Sequence, residues 1–167
     1  MSYQVLVLCY ANRWRSPLAA GCIEREVNIL VPDHVQVCSA GFKEAGKPAG
    51  KPVRNVALEL GFTLEHHKST TCTQQMIQAA DLVVYMDNGN YRRLCQLMGI
   101  RQHNRTSQDW RNLGSFCLPA RTRIEDLAFI SPRTNPEKFD EVVRYIDHAC
   151  RTLVETVIAP EARKRQA

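Results

Sequence analysis

The run Val5-Leu6-Val7-Leu8 has no polar face, ends in Cys9, and leads within a few residues to Arg15-Ser16-Pro17 and an apolar-periodic segment. A strand apolar on both faces has to be covered on both sides. That is the situation of a strand inside a parallel sheet with helices above and below it. Ser16 is placed as the N-cap of the helix that follows, with Pro17 at its first position, and this helix is expected to end near Asn28. The opening of the chain therefore reads as strand, loop and helix start.

The alternation continues along the chain. Val35–Ser39 reads as a second strand entering Ser39-Ala40-Gly41, and Leu82–Met86 as a third ending at Asp87. A short fourth strand is expected near Trp110–Phe116, after the polar stretch Gln102–Arg111, which shows no period. Helices are expected over Pro52–Leu60 with Gly61 as its stop, over Thr73–Ala80, and over Asn88–Met98 closed by Gly99. Asp87 is placed to cap the last of these. Phe139, Val142, Val143, Ile146, Ala149, Leu153 and Val157 recur at helical spacing and read as the core face of a final helix. The expected fold is α/β, a three-layer sandwich with a central four-stranded parallel sheet flanked by helices and an anion-binding loop after the first strand.

A chain of 167 residues is expected to form one domain, here over residues 1–158, with a basic tail at 159–167. Arg163-Lys164-Arg165 in that tail reads as a frayed, solvated end rather than a nucleic-acid patch. The net charge of +5 is modest, and steers anionic substrates weakly. No apolar run approaches membrane-spanning length and the N-terminus does not read as a signal peptide, so a cytoplasmic protein is expected, without membrane or nucleic-acid partners. The seven cysteines are odd in number and include no C-x-x-C pair, which suggests neither a disulfide framework nor a zinc site. Most read as small buried apolar side chains in a reducing compartment.

Cys9 stands at the carboxyl end of a parallel strand, where ligands bind in such sheets. The N–H groups of a tight loop entering a helix cradle an anion, and the helix dipole adds partial positive charge. The same field, with Arg15 beside it, favours thiolate over thiol. A thiolate is a strong nucleophile, and a guanidinium grips two phosphoryl oxygens at once. Ser16 is placed to donate its hydroxyl to the sulfur, and Asn12 tolerates the left-handed backbone that turns successive N–H groups inward. The arrangement suits holding a phosphate dianion and attacking it.

With these residues in view, the chain resembles the low-molecular-weight protein-tyrosine phosphatase family over almost its full length. The family's loop, roughly C-x-G-N-x-C-R-S-P, appears as Cys9-Tyr10-Ala11-Asn12-Arg13-Trp14-Arg15-Ser16-Pro17. Its S-A-G, H-[KR]-[AS] and A-D-L-[VI]-x-x-M-D segments appear as Ser39-Ala40-Gly41, His67-Lys68-Ser69 and Ala80–Asp87, with Asn90 following. Leu113-Gly114-Ser115-Phe116 matches L-G-S-[FY], and Ile124-Glu125-Asp126-Leu127-Ala128-Phe129 stands where the family has its late acidic loop. The resemblance implies a phosphomonoester hydrolase acting on a phosphorylated protein or a small phosphoester, as a monomer or weak homodimer, with no metal or other cofactor. It implies that Cys9 forms a phosphocysteine, that Arg15 binds the phosphoryl group, and that Asp126 protonates the leaving oxygen and then activates water. It implies that Asn12, Ser16, Ser39 and His67 hold the loop, and that Tyr10, Ala11, Asn12, Arg13, Trp14, Ser16 and Phe129 meet the substrate.

The chain also departs from the family pattern. Ala11 stands where the family has glycine, and a Cβ there costs roughly 1 kcal/mol or more if the position needs positive φ. Trp14 replaces a second loop cysteine, which leaves an oxidised Cys9 without a resolving neighbour. Leu127 and Ala128 replace a proline and its follower, which implies an acid loop that is less rigid or differently aimed. Arg13 brings charge to the pocket entrance, where with Tyr10, Trp14 and Phe129 it forms a rim suited to a phosphotyrosine ring or to a more anionic phosphoester. A plainer alternative has Arg13 and Trp14 pointing to solvent. Two other functions fit parts of this pattern. One is a non-catalytic phosphate-binding module, to which Ala11 and Leu127 point. The other is thiol-coupled arsenate reduction, which needs two further cysteines around a segment after the Leu82–Met86 strand; Cys72 and Cys95 are poorly placed for that.

Overall fold

The computed structural model describes residues 2–101 and 108–166, so positions 102–107 of the polar stretch lie outside the described residues. The strands are β1 (Tyr3–Leu8), β2 (Val35–Ala40), β3 (Leu82–Tyr85) and β4 (Asp109–Asn112). The helices are α1 (Arg15–Leu30), α2 (Lys51–Glu59), α3 (Gln74–Ala79), α4 (Asn88–Met98), α5 (Pro136–Leu153) and α6 (Ala159–Lys164). Among the described residues the strands form a four-stranded sheet in the order β2-β1-β3-β4, parallel throughout. Leu8 pairs with Ala40 on one side and Tyr85 on the other, so three strand ends and the segments after them converge beside Cys9.

Alternation along β1 builds the layers. Val5 and Val7 join Leu82 and Val84 in a core with Leu18, Ile23, Phe139 and Ile146 from α1 and α5. Leu6 and Leu8 face the opposite way, into a smaller core with Val83, Ile77 of α3 and Leu94 of α4. Burial on both faces explains why β1 is apolar at every position from Val5 to Leu8.

The sequence expectations need four local corrections. Helix α1 starts at Arg15 with Trp14 as its N-cap, and no side chain caps it. Ser16 cannot cap it because it already lies within the first turn, where its hydroxyl is engaged with Cys9 and Asn12. The helix runs on to Leu30, two residues past the expected end, where the Val31 N–H closes it on the Val27 carbonyl. The fourth strand is Asp109–Asn112, and Leu113–Phe116 is a 3-10 turn whose start Asn112 caps by accepting from the Gly114 N–H at 2.9 Å.

The basic tail is not frayed. Residues Ala159–Lys164 form α6, with Ala159 and Ala162 buried. It continues from α5 through one π-helical turn, Val154–Ile158. Pro160 accounts for that turn: it has no N–H and its ring crowds the carbonyl of the preceding turn, so the helix widens rather than breaks. Arg165 then forks onto Asp81 at 2.6 and 2.8 Å and lies 5.0 Å from the centre of the Tyr3 ring. The segment after α6 is thereby tied to β1 and to the residue before β3.

Candidate active site

The loop between β1 and α1 is organised by Asn12, which is fully buried. Its φ of 52° lies in the left-handed region, the conformation the loop requires. Ala11 is not at positive φ, so the penalty expected for a Cβ there does not arise. The Asn12 amide donates to Ser16 Oγ and to Ser39 Oγ, both at 2.9 Å, and its Oδ1 accepts from the Thr70 N–H at 2.8 Å. A carbonyl only accepts, so His67 Nε2, 2.7 Å from the Asn12 carbonyl oxygen, carries a proton and donates it. Ser16 is thus an acceptor toward Asn12. Its own proton is directed to Cys9 Sγ at 3.1 Å, with the Ala40 carbonyl a longer alternative at 3.5 Å.

Gly41 is needed beside this loop. A Cβ there would sit 2.7 Å from the Asn12 nitrogen and 2.9 Å from the Tyr10 carbonyl oxygen, both backbone atoms. The close approach lets the Phe42 N–H reach the Tyr10 carbonyl at 2.7 Å and the Cys9 N–H reach Ala40 at 3.4 Å. Gly50 does the same for Trp14, whose indole covers it so closely that a Cβ would lie 2.7 Å from the ring. Trp14 is therefore packed, half-buried, rather than free in solvent. Arg13 is held by its Nε, which donates to the Pro48 carbonyl at 2.9 Å.

Arg15 is 3% exposed and carries two carboxylates, Asp87 Oδ2 at 2.6 Å and Asp126 Oδ2 at 2.9 Å. It also donates to the Ile124 carbonyl at 2.9 Å, while its buried Nε has no partner among the described residues. A buried donor left unpaired is costly unless something fills the place. Asp87 uses its other oxygen to cap α4, accepting from the Asn90 N–H at 2.8 Å. The cap is legible in the sequence, whereas the ion pair joins residues 72 apart and is not. Asp126 likewise caps its own turn through the Ala128 N–H at 3.1 Å, and Leu127 is fully buried behind it. Burial of Leu127 anchors this loop where the family has proline.

Two cavities open beside this cluster and share Tyr10, Asp126 and Phe129 as their common wall. The smaller, about 340 Å³, is lined by Cys9, Ala11, Arg13 and Trp14, and by Lys43, Glu44 and Lys47 of the segment after β2. The larger, about 800 Å³, is lined by Arg15, Asp87, Arg93, Arg123 and Lys138. Asn12 and Ser16 are buried behind the loop and line neither, and Ser39 and His67 support it from outside. Lys43, Glu44, Lys47, Arg93 and Arg123 are wall residues the sequence did not single out, since no spacing relates the loops that carry them. Cys72 and Cys95 are buried, and neither lines a cavity with Cys9.

A protein-family model described as low molecular weight phosphotyrosine protein phosphatase matches residues 4–164. The chain belongs to this family. The phosphatase fold recurs in solved structures. YfkJ from Bacillus subtilis superimposes with a TM-score of 0.81 at 19% identity, over 100% of this chain and 98% of that one. A low molecular weight protein tyrosine phosphatase from T. tengcongensis gives 0.77 at 22% identity, over 93% and 100%. Wzb from Vibrio vulnificus, in complex with benzylphosphonate, gives 0.74 at 22% identity, over 94% and 100%. Comparison with curated protein sequences returns no match.

Proposed function

We propose that this phosphatase hydrolyses phosphotyrosine-like monoesters through a phosphocysteine on Cys9. The observation that carries the reading is the position of Asp126, which borders the cavity onto which Cys9 opens while lying 2.9 Å from Arg15. That adjacency supports Cys9, Arg15 and Asp126 acting together as nucleophile, cation and proton donor.

Substrate phosphate enters the loop, where the uncapped first turn of α1 supplies N–H groups and partial positive charge. Arg15 offers its unpaired Nε to a phosphoryl oxygen, and Asp87 holds the guanidinium in orientation. As the dianion engages Arg15 it displaces Asp126, which, freed of the cation, takes up a proton from solvent and turns to the leaving oxygen. The Cys9 thiolate attacks phosphorus, an S–P bond forms, the P–O bond to the phenol breaks, and Asp126 gives the phenolate its proton. Asp126, now a carboxylate, takes a proton from water, whose oxygen attacks phosphorus and breaks the S–P bond. The departing thiolate accepts the Ser16 hydroxyl, and inorganic phosphate leaves. Trp14, Tyr10 and Phe129 form the aromatic rim for the substrate ring. The benzylphosphonate held by the Vibrio vulnificus relative, a phosphonate on a benzyl group, supports an aromatic substrate. The seven cysteines are all free thiols, which suits work in a reducing cytoplasm.

The test is steady-state hydrolysis of para-nitrophenyl phosphate. Activity is expected to survive EDTA and to vanish in Cys9→Ser; full activity in that variant overturns the mechanism. Asp126→Asn is expected to lower kcat by about a hundredfold or more while vanadate still binds. An unchanged kcat removes Asp126 from its role.

A further inference from the structure

Four cations around the two cavities lack a carboxylate partner among the described residues: Arg13, Lys43, Arg93 and Arg123. The other cations there are neutralised. Arg15 carries Asp87 and Asp126, Lys47 approaches Glu44 at 3.8 Å, and Lys138 meets Glu125 at 2.8 Å and Glu141 at 2.7 Å. Two of the four are placed by the same ring. Arg93 lies 4.5 Å from the centre of Tyr10 and Lys43 lies 5.2 Å from it, one from α4 and one from the segment after β2. Contacts of this kind orient a cation without neutralising it. Tyr10 follows Cys9 directly and faces both cavities, so these charges flank the reacting position from two sides. Arg13 is held at Nε alone, which leaves its terminal amines open.

We propose that Arg13 and Lys43 on one side, and Arg93 and Arg123 on the other, form a two-armed subsite for carboxylate side chains flanking the phosphotyrosine of an acidic peptide. The inference rests on the phosphotyrosine reading above and adds the substrate class. The larger cavity, about 800 Å³, has room for several peptide residues beyond the phosphoryl group. The phosphate itself belongs to Arg15 and the loop, so the four cations are left for neighbouring charge. Each arm acts through exposed pairs, which are individually weak and screened over about 8 Å at physiological salt, so the preference grows with the number of carboxylates and fades with salt.

The experiment compares kcat/KM for three phosphotyrosine peptides that differ only in having Glu, Gln or Lys on both sides, with para-nitrophenyl phosphate as a reference that has no flanking residues. The Glu peptide is expected to exceed the Gln peptide by about tenfold at low salt, with the ratio collapsing toward one near 0.5 M salt, roughly as screening requires. Arg93→Gln and Arg123→Gln are each expected to cut that ratio about threefold, with the change in KM rather than kcat. Equal rates for Glu and Gln peptides at low salt, with para-nitrophenyl phosphate turned over, overturn the subsite alone. If para-nitrophenyl phosphate is not hydrolysed, the catalytic reading fails, and fluorescence anisotropy of the same peptides then decides the subsite. Tighter binding of the Glu peptide supports it and equal binding overturns it.

Discussion

Asn12 shows how much one side chain carries when it is fully enclosed. It supplies a left-handed backbone and a side chain whose amide and carbonyl connect Ser16, Ser39 and Thr70. The two contributions are separable. Asn12→Gly keeps the backbone freedom and loses the hydrogen bonds; Asn12→Ala loses both. Loss of buried hydrogen bonds is expected to cost about 2–3 kcal/mol in either variant, and the unfavourable φ about 1 kcal/mol more in Asn12→Ala. Urea unfolding checks the order: Asn12→Ala as stable as Asn12→Gly would show that the left-handed residue carries no strain. Both variants also free the Ser16 hydroxyl to turn from Cys9 to the Ala40 carbonyl. Each should therefore lower kcat beyond any loss of folded protein, measured on folded material at low temperature.

At the scale of elements, the acid loop is held by burial where the family uses proline. Leu127 is fully enclosed in the main core between Asp126 and the 3-10 turn it starts. Leu127→Ala is expected to cost about 2–4 kcal/mol by leaving a cavity, and to lower kcat several-fold because Asp126 loses its anchor. Thermal unfolding and steady-state kinetics on the same preparation measure the two effects; a stability loss with unchanged kcat would mean that the ion pair with Arg15 positions Asp126 unaided. Helix α1 makes the complementary point. Its start lacks a side-chain cap because the N-cap position falls on Trp14, which has no acceptor, while Ser16 lies inside the first turn with its hydroxyl turned toward sulfur. A local rule of helix capping yields there to the chemistry of the site.

Across the whole molecule, the end opposite the loop is closed by α6 and Arg165. Tyr3 is 5% exposed, with Arg165 over its ring and Asp109 and Asp81 nearby. Burial first, and those carboxylates second, raise its hydroxyl from 10 to about 12. A group whose folded value is raised contributes stability that is complete below the unfolded value and lost as pH climbs to the folded one. Stability is therefore expected to decline between pH 10 and about 12, by roughly 3 kcal/mol in total. Urea midpoints across that window test this, and Tyr3→Phe should show a shallower decline. The alternation of apolar runs and helical periods was enough to read a parallel α/β sandwich, because strands buried on both faces and amphipathic helices leave local marks in a sequence. The loop from Cys9 to Pro17 was legible for the same reason: strand, anion loop and helix are neighbours in the chain. What the sequence could not show is whatever closes over long separations. The sharing of Arg15 between Asp87 and Asp126, the cover of Trp14 on Gly50, the docking of α6 and Arg165, and the cations around Tyr10 arise only when distant segments meet. No local pattern encodes such meetings, since it is the packing of the sheet and its helices that decides which side chains share a wall.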